Sequence, residues 1–425
     1  MVPKKNNART KTALHIQVPE DLASVTQIGI ECDPASAGMK PKQVQALWKN
    51  IEALYQTGVY PGIGFCLRRH GAIVLNRVIG HRQGNGPNDS ADTPKLPMTL
   101  DTPICLFSAS KAITAMVIHG LAEQGLLNLM DPVSYYLPNF SVKGKQDLTI
   151  QQVLSHRAGI PSLPKNFDMD ILFDAEALAH FVDHLKPQWA SGRALGYHAL
   201  TGGFVLGKVA ETVSGKSMRT LLRNQIQKPM GMKYFNYGLP AKERADRALN
   251  YLTGIPSQFP VAQIFKRLLG LPVEQVIELS NEIRFQQAVM PPANIMATAE
   301  ETARFFQMLL DEGRYKNKRI YAAETIHNAT QPLGKPEMDR MFLMPMHYSA
   351  GMMLGGSPAG LWGPMSASAF GHIGFSNNFC WADKQRDISV AFLSTGKPIL
   401  GPHILQLLKL AGSIGLYCKP VIKGK

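Results

Sequence analysis

Ser108 and Lys111 stand three residues apart at the start of a long apolar segment. In a helix this spacing places both side chains on one face, so that the ammonium group can lie beside the hydroxyl. Residues 112–122 leave no broad polar face, which is typical of a helix that is buried on all sides. A buried lysine needs a partner or a lowered pKa, and a lowered pKa would make it a base. The pair therefore predicts a serine nucleophile that is activated by a lysine.

The Ser-x-x-Lys spacing alone is weak evidence, because the chain contains it more than once. The matches begin at Ser108, Ser162 and Ser394. Pro164 lies within the second match and Pro398 follows the third, and neither of those serines opens an apolar helix. Only Ser108 is expected at a helix N-terminus, where free backbone amides and the helix dipole can hold an oxyanion. The alternative for Lys111, a lysine that extends to solvent from a surface helix, is disfavoured by the apolar run after it.

The 425-residue chain has the composition of an ordinary globular protein, with 45% hydrophobic and 18% charged residues. Its apolar runs are shorter than the ~18 residues of a transmembrane helix, so we expect no membrane span. The basic N-terminus lacks the apolar core of a signal peptide, which predicts a cytoplasmic protein with residues 1–38 as a partly disordered leader. The net charge of +14 is dispersed and accompanies no nucleic-acid motif, so we expect no nucleic-acid partner.

The five cysteines are odd in number and show no paired spacing, which predicts neither a disulfide framework nor a zinc site. Cys105 lies near Ser108, but nothing close to it in the sequence would lower the pKa of its thiol. We interpret it as a buried structural thiol. We also expect that the protein needs no metal and no organic cofactor.

Sheet-forming segments lie at both ends of the sequence. Residues 39–57 carry apolar side chains at helical spacing, and two strand-like runs at 62–68 and 72–79 predict a β-hairpin. Near the C-terminus, strand-length runs precede a helix at 399–410; the runs are 346–353, 370–372, 379–383 and 388–393. The central part is helical in pattern, with helices expected at 148–154, 175–185, 202–215, 217–227 and 296–310.

Two features of the central part bear on the site. Thr298 and Glu301 have the spacing of a capping box at the start of the helix at 296–310. Residues 260–289 are amphipathic and predict either a packing helix pair or a flap over a site.

We therefore predict an α/β fold in which an antiparallel sheet is flanked by N- and C-terminal helices and carries an inserted, mostly α-helical domain. The α/β domain comprises residues 39–98 and 331–425. The inserted domain comprises residues 99–330 and contains the nucleophile helix.

Five segments in a fixed order resemble the serine β-lactamase-like superfamily, which includes class C β-lactamases and DD-peptidases. They are FSASKAITAMVIHGLAEQGLLNLMDPVSYYLPNF, LTIQQVLSHRAGIPS, GYHALTGGFVLGKVAETVSGKSM, PANIMATAEETARFFQMLL and FGHIGFSNNFCWADKQRDISVAFLSTG. Within the superfamily the chain is most similar to family VIII carboxylesterases. The resemblance implies the β-lactamase/transpeptidase-like fold.

The resemblance also implies roles for the first two motifs. Ser108 matches the acylated nucleophile, Lys111 matches its partner, and Tyr197 matches the tyrosine that opens the second motif. His198, beside Tyr197, is expected either to tune the tyrosine or to lie at the rim of the site. His156 matches a segment that the family uses structurally, so a hydrogen-bonded core histidine is expected there.

The third motif is expected on the strand that edges the site. His372 and Gly374 stand where the β-lactamases have the lysine and the glycine of Lys-Thr-Gly. The oxyanion hole would then consist of the backbone N–H groups of Ser108 and Phe375. Trp362 precedes this strand and is expected to wall the pocket. Methionines between residues 338 and 353 predict either ordinary core filling or the lining of an acyl pocket.

Two departures from the β-lactamase pattern favour an esterase. Ala199 replaces the asparagine that holds the amide side chain of a β-lactam, and alanine cannot make that hydrogen bond. His372 replaces a lysine that anchors the β-lactam carboxylate, and a neutral imidazole is a weaker anchor.

These observations predict a serine hydrolase, a carboxylesterase that cleaves small to medium acyl esters through an acyl-serine intermediate. Its partner would be a small-molecule ester. Two alternatives stay open at this point. One is a β-lactamase, D-amino-acid peptidase or acyltransferase of the same fold, and the other is a non-catalytic ligand-binding member.

Overall fold

An eight-stranded antiparallel sheet forms the centre of the computed structural model, which describes residues 13–142 and 144–421. Its strands are β1 (Thr26–Ile28), β2 (Gly62–Arg69), β3 (Ala72–Gln83), β4 (Leu96–Pro97), β12 (Met353–Leu354), β15 (Ala369–Gly374), β16 (Asn378–Asp383) and β17 (Ile388–Ser394). The spatial order is β1-β3-β2-β17-β16-β15-β12, and β4 pairs with β3. Strands from both ends of the sequence therefore build one sheet, as the sequence predicts.

The remaining strands form small two- and three-stranded sheets. They are β5 (Ile104–Cys105), β6 (Asn236–Tyr237), β7 (Ile295–Ala297), β8 (Arg314–Tyr315), β9 (Lys318–Arg319), β10 (Glu337–Asp339), β11 (Met344–Met346), β13 (Ala359–Gly360) and β14 (Gly363–Pro364). Among them, β5, β7 and β6 pair in that order beside the nucleophile helix. The inserted block thus contains strands as well as helices.

The described residues form thirteen α-helices. They are α1 (Pro41–Gln56), α2 (Ser110–Glu123), α3 (Val133–Tyr136), α4 (Ile150–Leu154), α5 (Ala175–Asp183), α6 (Thr201–Ser214), α7 (Met218–Leu222), α8 (Val261–Leu269), α9 (Val273–Asn281), α10 (Ile283–Gln287), α11 (Ala299–Leu310), α12 (Ala323–Thr330) and α13 (His403–Tyr417). The N-terminal α1 and the C-terminal α13 pack against each other beside the sheet. The predicted α/β fold class is confirmed.

The strand register decides which side chains share a face of the main sheet. His372 lies opposite Cys380, and Cys380 lies opposite Ala391 on β17. Directly opposed residues of antiparallel strands point to the same side, so these three face α2 and α11. Neighbouring positions such as Trp381 alternate to the other side, which α1 and α13 cover.

Helix α11 belongs to the main sheet by its contacts. Helix α11 packs across β2, β16 and β17, although the predicted boundaries place it in the inserted block at 99–330. Its apolar side chains, including Phe305 and Phe306, are buried in the same hydrophobic cluster as the inner face of the sheet. The chain therefore returns to the sheet at α11.

Several predicted elements are confirmed with shifted ends. The helix expected at 39–57 is α1, and the expected hairpin is formed by β2 and β3. The capping box is also present, because Thr298 Oγ1 accepts from the Glu301 N–H at 3.1 Å and a Glu301 carboxylate oxygen accepts from the Thr298 N–H at 3.0 Å. The final helix begins at His403, since Pro402 precedes its first turn.

The strand predicted at 346–353 is wrong, because a turn at residues 349–351 separates β11 from β12. This turn packs against α2. The Nε2 atom of His119 lies 2.9 Å from the carbonyl oxygen of Ala350. Gly351 has a φ of +122°, and a Cβ there would lie 2.2 Å from that of Ala115. Contact with α2 and the glycine conformation end the strand.

The predicted leader is partly described. Residues 1–12 lie outside the described residues. Leu14 forms an isolated β-bridge with Gly254, and β1 adds an edge strand to the sheet. In the described part of the chain, we find no helix with the length and apolar character needed to cross a membrane.

Gly374 marks a close contact between the sheet and the segment before α2, and this contact can be tested. A Cβ at Gly374 would lie 2.1 Å from the carbonyl oxygen of Leu106. We expect Gly374→Ala to destabilise the protein by about 1–3 kcal/mol, because backbone must shift to relieve the overlap. Thermal denaturation measures the effect. Gly412→Ala is the control, since a Cβ there meets no atom within 4 Å. Equal melting temperatures for the two variants would contradict this account.

Candidate active site

Ser108 lies in a 3₁₀ turn, Phe107–Ala109, that runs directly into α2. The Nζ atom of Lys111 lies 3.0 Å from Ser108 Oγ and donates a second hydrogen bond, 2.9 Å long, to the carbonyl oxygen of Pro292. The predicted pair is therefore in hydrogen-bond contact. Every residue of α2 from Ser110 to Leu121 is buried, as the apolar pattern predicts.

Burial determines the charge of the Lys111 amine. The residue is only 8% exposed, and desolvation holds the pKa of its amine well below the usual value. Its two hydrogen-bond partners are a hydroxyl and a carbonyl group, and neither carries a negative charge. The neutral amine can accept a proton from Ser108.

Tyr197 comes from the loop before α6 and lies against the same serine. Its hydroxyl is close enough to Ser108 for the serine to lower the pKa of the phenol, and its ring centroid is 5.1 Å from Lys111 Nζ. Burial raises the pKa of the Tyr197 phenol, and the neighbouring Ser108 only partly offsets this. The phenol therefore keeps its proton, whereas the neighbouring amine loses its proton readily.

Asp339 anchors the backbone of Tyr197, and the sequence analysis missed it. One carboxylate oxygen of Asp339 accepts from the N–H groups of Tyr197, Met341 and Phe342, at 3.2, 2.8 and 3.0 Å. The other accepts from the Tyr348 hydroxyl at 3.2 Å. The side chain is fully buried. No local spacing signals this role, because 142 residues separate Asp339 from Tyr197.

Two histidines pack behind Tyr197. The ring of His156 lies 4.7 Å from that of Tyr197, and its Nδ1 accepts from the His198 N–H at 3.1 Å, so it is a hydrogen-bonded core residue. His198 is also fully buried, its Nε2 accepts from the Ile160 N–H at 3.1 Å, and burial lowers its pKa to about 3. The structure thus places His198 behind the tyrosine and away from the rim.

His372 lies on β15 with its ring centroid 6.0 Å from that of Tyr197. Burial, reinforced by Lys111, lowers its pKa to about 3, so the imidazole is neutral. Its Nδ1 lies 2.7 Å from the Ile373 carbonyl oxygen, which assigns the proton to Nδ1. Among the described residues, Nε2 is buried without a hydrogen-bond partner. This atom can accept a hydrogen bond but cannot anchor a carboxylate by charge.

Phe375 follows β15 and packs beside the nucleophile turn. Its ring centroid lies 5.4 Å from that of Phe107 and 6.4 Å from that of Phe265 on α8. Within the described residues, the Phe375 N–H donates to no protein acceptor. The resemblance implies that this N–H and the N–H of Ser108 would hold an oxyanion.

Helix α8 contacts the site from the segment expected to form a helix pair or a flap. Phe265 packs on Phe375, and Leu268 belongs to the same hydrophobic cluster as Tyr197. Helix α8 therefore contacts the site through its apolar side chains, and it also packs against α9.

The structure does not bring Trp362 to Ser108. Its indole N–H donates to the Met353 carbonyl oxygen at 3.1 Å, and its ring stacks on Trp381 at 5.6 Å. Because Trp381 faces α1 and α13, Trp362 lies across the sheet from His372. There it lines an apolar groove of about 660 Å³ beside α13, together with Met344 and Met346.

The chain is similar to known proteins along most of its length. The family model described as Beta-lactamase matches residues 47–408. The chain belongs to the Beta-lactamase family. It is 29% identical over 337 residues to Esterase/beta-lactamase LipL of Mycobacterium tuberculosis. The aligned residues cover 76% of this chain and 75% of that protein.

Solved structures of the family have the same fold. A penicillin-binding protein homologue from Caulobacter crescentus is 26% identical, with a TM-score of 0.77 and coverage of 92% of this chain and 100% of the other. A family VIII carboxylesterase is also 26% identical, with a TM-score of 0.75 and the same two coverages, 92% and 100%. The likeness to the β-lactamase-like superfamily and to family VIII carboxylesterases is confirmed, and the chain is a β-lactamase-fold hydrolase.

Asp339 provides a test of how Tyr197 is held. Asp339→Ala leaves four donors without their acceptor, and each buried unsatisfied group costs about 1–3 kcal/mol. We expect a large fall in melting temperature, measured by calorimetry, and loss of activity. Asp339→Asn keeps an oxygen for the three N–H groups and should be less destabilised. A melting temperature for Asp339→Ala as high as that of Asp339→Asn would contradict the anchoring role.

Proposed function

We propose that the protein is a carboxylesterase that hydrolyses small to medium acyl esters through an acyl-serine intermediate at Ser108. The observation that carries this proposal is that burial has opposite effects on the pKa values of two groups beside Ser108. Burial lowers the pKa of Lys111 and raises the pKa of Tyr197. One partner of the serine is thus a base and the other is an acid. The esterase names of LipL and of the family VIII structure support the substrate class.

Acylation begins when Ser108 Oγ attacks the carbonyl carbon of the ester and its proton passes to the neutral amine of Lys111. The contact of 3.0 Å between these two atoms suits direct transfer. Negative charge develops on the carbonyl oxygen, and the N–H groups of Ser108 and Phe375 stabilise it. The amine becomes an ammonium group while it still donates to the Pro292 carbonyl oxygen.

Collapse of the tetrahedral intermediate breaks the bond to the alcohol oxygen. Tyr197 gives its proton to that oxygen, and the resulting phenolate takes a proton from the Lys111 ammonium group. Water then attacks the acyl-enzyme with the roles repeated. Lys111 accepts the proton of the water, and Ser108 leaves as the hydroxyl after protonation by Tyr197. The products are one alcohol and one carboxylic acid.

The residues around the pair favour a neutral ester over an anionic substrate. His372 is neutral at physiological pH, because burial lowers its pKa to about 3. Ala199, which is buried, offers no side-chain hydrogen bond to an amide. A β-lactamase or D-amino-acid peptidase would have to bind its carboxylate without a cationic side chain at position 372.

A comparison of substrates on wild type and variants tests the proposal. We expect hydrolysis of p-nitrophenyl esters to exceed that of a chromogenic cephalosporin. Ser108→Ala should lower kcat by at least about a thousandfold, and a serine-directed phosphonate should add one adduct, located at Ser108 by mass spectrometry. Ser162→Ala, the serine of the second Ser-x-x-Lys match, is the control and should keep full activity. Faster cephalosporin turnover, or an adduct elsewhere, would refute the assignment.

The pH dependence tests the roles of acid and base. Lys111 must be neutral to accept a proton, so kcat/KM should rise as pH increases through the lowered pKa of Lys111 and should already be high at neutral pH. Tyr197→Phe should lower kcat about 10²–10⁴-fold, the usual worth of a general acid. Lys111→Arg, which cannot lose its proton, should be inactive at every pH. Activity of Lys111→Arg at neutral pH would exclude Lys111 as the base.

A further inference from the structure

A second buried lysine, Lys397, lies beside the turn that carries Ser108. It ends the third Ser-x-x-Lys match, and both Ser394 and Lys397 are fully buried. The Nζ atom donates to the Ser394 carbonyl oxygen at 2.6 Å and lies 3.5 Å from the Oδ1 atom of Asn378. It also lies 5.0 Å from the ring centroid of Phe107, the residue immediately before Ser108. Lys397, the lysine of the third Ser-x-x-Lys match, thus contacts the nucleophile turn at Phe107.

Asn378 connects this lysine to two backbone segments, one at the end of β5 and the other at the end of β17. Its Nδ2 donates to the Cys105 carbonyl oxygen at 2.9 Å, and its Oδ1 accepts from the Ser394 N–H at 2.9 Å. Cys105 ends β5, from which the chain continues into the nucleophile turn. The amide and the lysine therefore tie β16 and β17 to the segment that positions Ser108.

Phe107 has a backbone conformation that its surroundings must maintain. Its φ is +47°, which is rare for a bulky residue and costs of the order of 1–3 kcal/mol. On one side its ring contacts Phe375, whose N–H is the second donor proposed for the oxyanion. The Lys397 amine is also within cation–π distance of this ring. Phe107 thus precedes Ser108 directly and packs against Phe375, the two residues whose N–H groups are proposed to hold the oxyanion.

Burial and the neighbouring groups together determine the charge of the Lys397 amine. The ionisable groups that influence it are the Cys105 and Cys380 thiols. Burial raises the pKa of Cys105 to about 12 and raises that of Cys380 further, so both thiols are neutral. Burial also lowers the pKa of Lys397 to about 7. The other groups at the amine, from Ser394, Asn378 and Phe107, do not ionise.

We propose that Lys397 is a positioning residue that holds Phe107 in place and thereby aligns the N–H groups of Ser108 and Phe375 toward the oxyanion. This inference rests on the proposed acyl-serine mechanism. Lys397 itself does not touch the substrate. It acts through the aromatic ring of Phe107 and the backbone on either side of that ring.

Lys397→Met tests the inference, because methionine has a similar length but neither charge nor donor. We expect kcat for ester hydrolysis to fall about 10–100-fold, somewhat less than the loss of an oxyanion donor, while KM stays unchanged. The rate of phosphonate addition to Ser108 should fall in parallel. Lys384→Met is the matched control, since Lys384 lies 5.5 Å from the ring centroid of Phe370 and hydrogen-bonds to Thr330. It should keep wild-type kinetics.

The pH profile separates positioning from a structural role. In the wild type, kcat should decline as pH rises through the pKa of Lys397, about 7, because the amine loses its attraction to the ring. Lys397→Met should lack this alkaline decline. A residue with only a structural role would lower the melting temperature and leave the shape of the profile unchanged.

The outcomes are distinguishable. A folded Lys397→Met with wild-type kcat and profile would overturn this inference and leave the proposed function intact. If that variant does not fold, Phe107→Leu removes the ring and should show the same loss of kcat and of the alkaline decline, and an unchanged profile in that variant would also overturn the inference. A wild type that neither hydrolyses esters nor reacts with the phosphonate at Ser108 would refute the proposed function itself.

Discussion

The burial of the Lys111 amine without a counter-ion is the constraint on which the site depends. Helix α2 is buried from Ser110 to Leu121, so water has little access to the amine. Its partners, Ser108 and the Pro292 carbonyl, offer hydrogen bonds but no negative charge. An ammonium group is costly in such surroundings, and the neutral amine is the favoured form. The same apolar packing that stabilises the helix therefore favours the neutral form of the amine, which is the form that can act as a base.

Close backbone contacts bring the sheet to that helix. The Leu106 carbonyl oxygen would lie 2.1 Å from a Cβ at Gly374, and Ala115 would lie 2.2 Å from a Cβ at Gly351. The first contact fixes β15, and with it His372 and Phe375, against the nucleophile turn. The second fixes the turn between β11 and β12 against α2. Residues without side chains are needed at both points, because the two layers must meet at backbone distance.

The sequence was sufficient for features that depend on local spacing. Ser108 and Lys111 are one helical turn apart, and the capping box joins Thr298 to Glu301, so periodicity alone places these side chains. Asp339 could not be found in this way, because it binds Tyr197 across 142 residues and has no motif of its own. Trp362 shows the opposite difficulty. Trp362 is close to β15 in the sequence, but it lies on the other face of the sheet, where it stacks on Trp381.

The charge states around Ser108 explain how such a site can favour a transition state over a substrate. Burial disfavours the charged forms of the Lys111 amine, the His372 imidazole and the Tyr197 phenol, so each of these groups is shifted toward its neutral form. A neutral ester can enter these surroundings without bringing a charge into them. Charge appears only when the Ser108 proton moves to Lys111 and the carbonyl oxygen becomes an oxyanion. Backbone N–H groups directed at that oxygen would then bind the transition state more strongly than the ground state, which is the condition for catalysis.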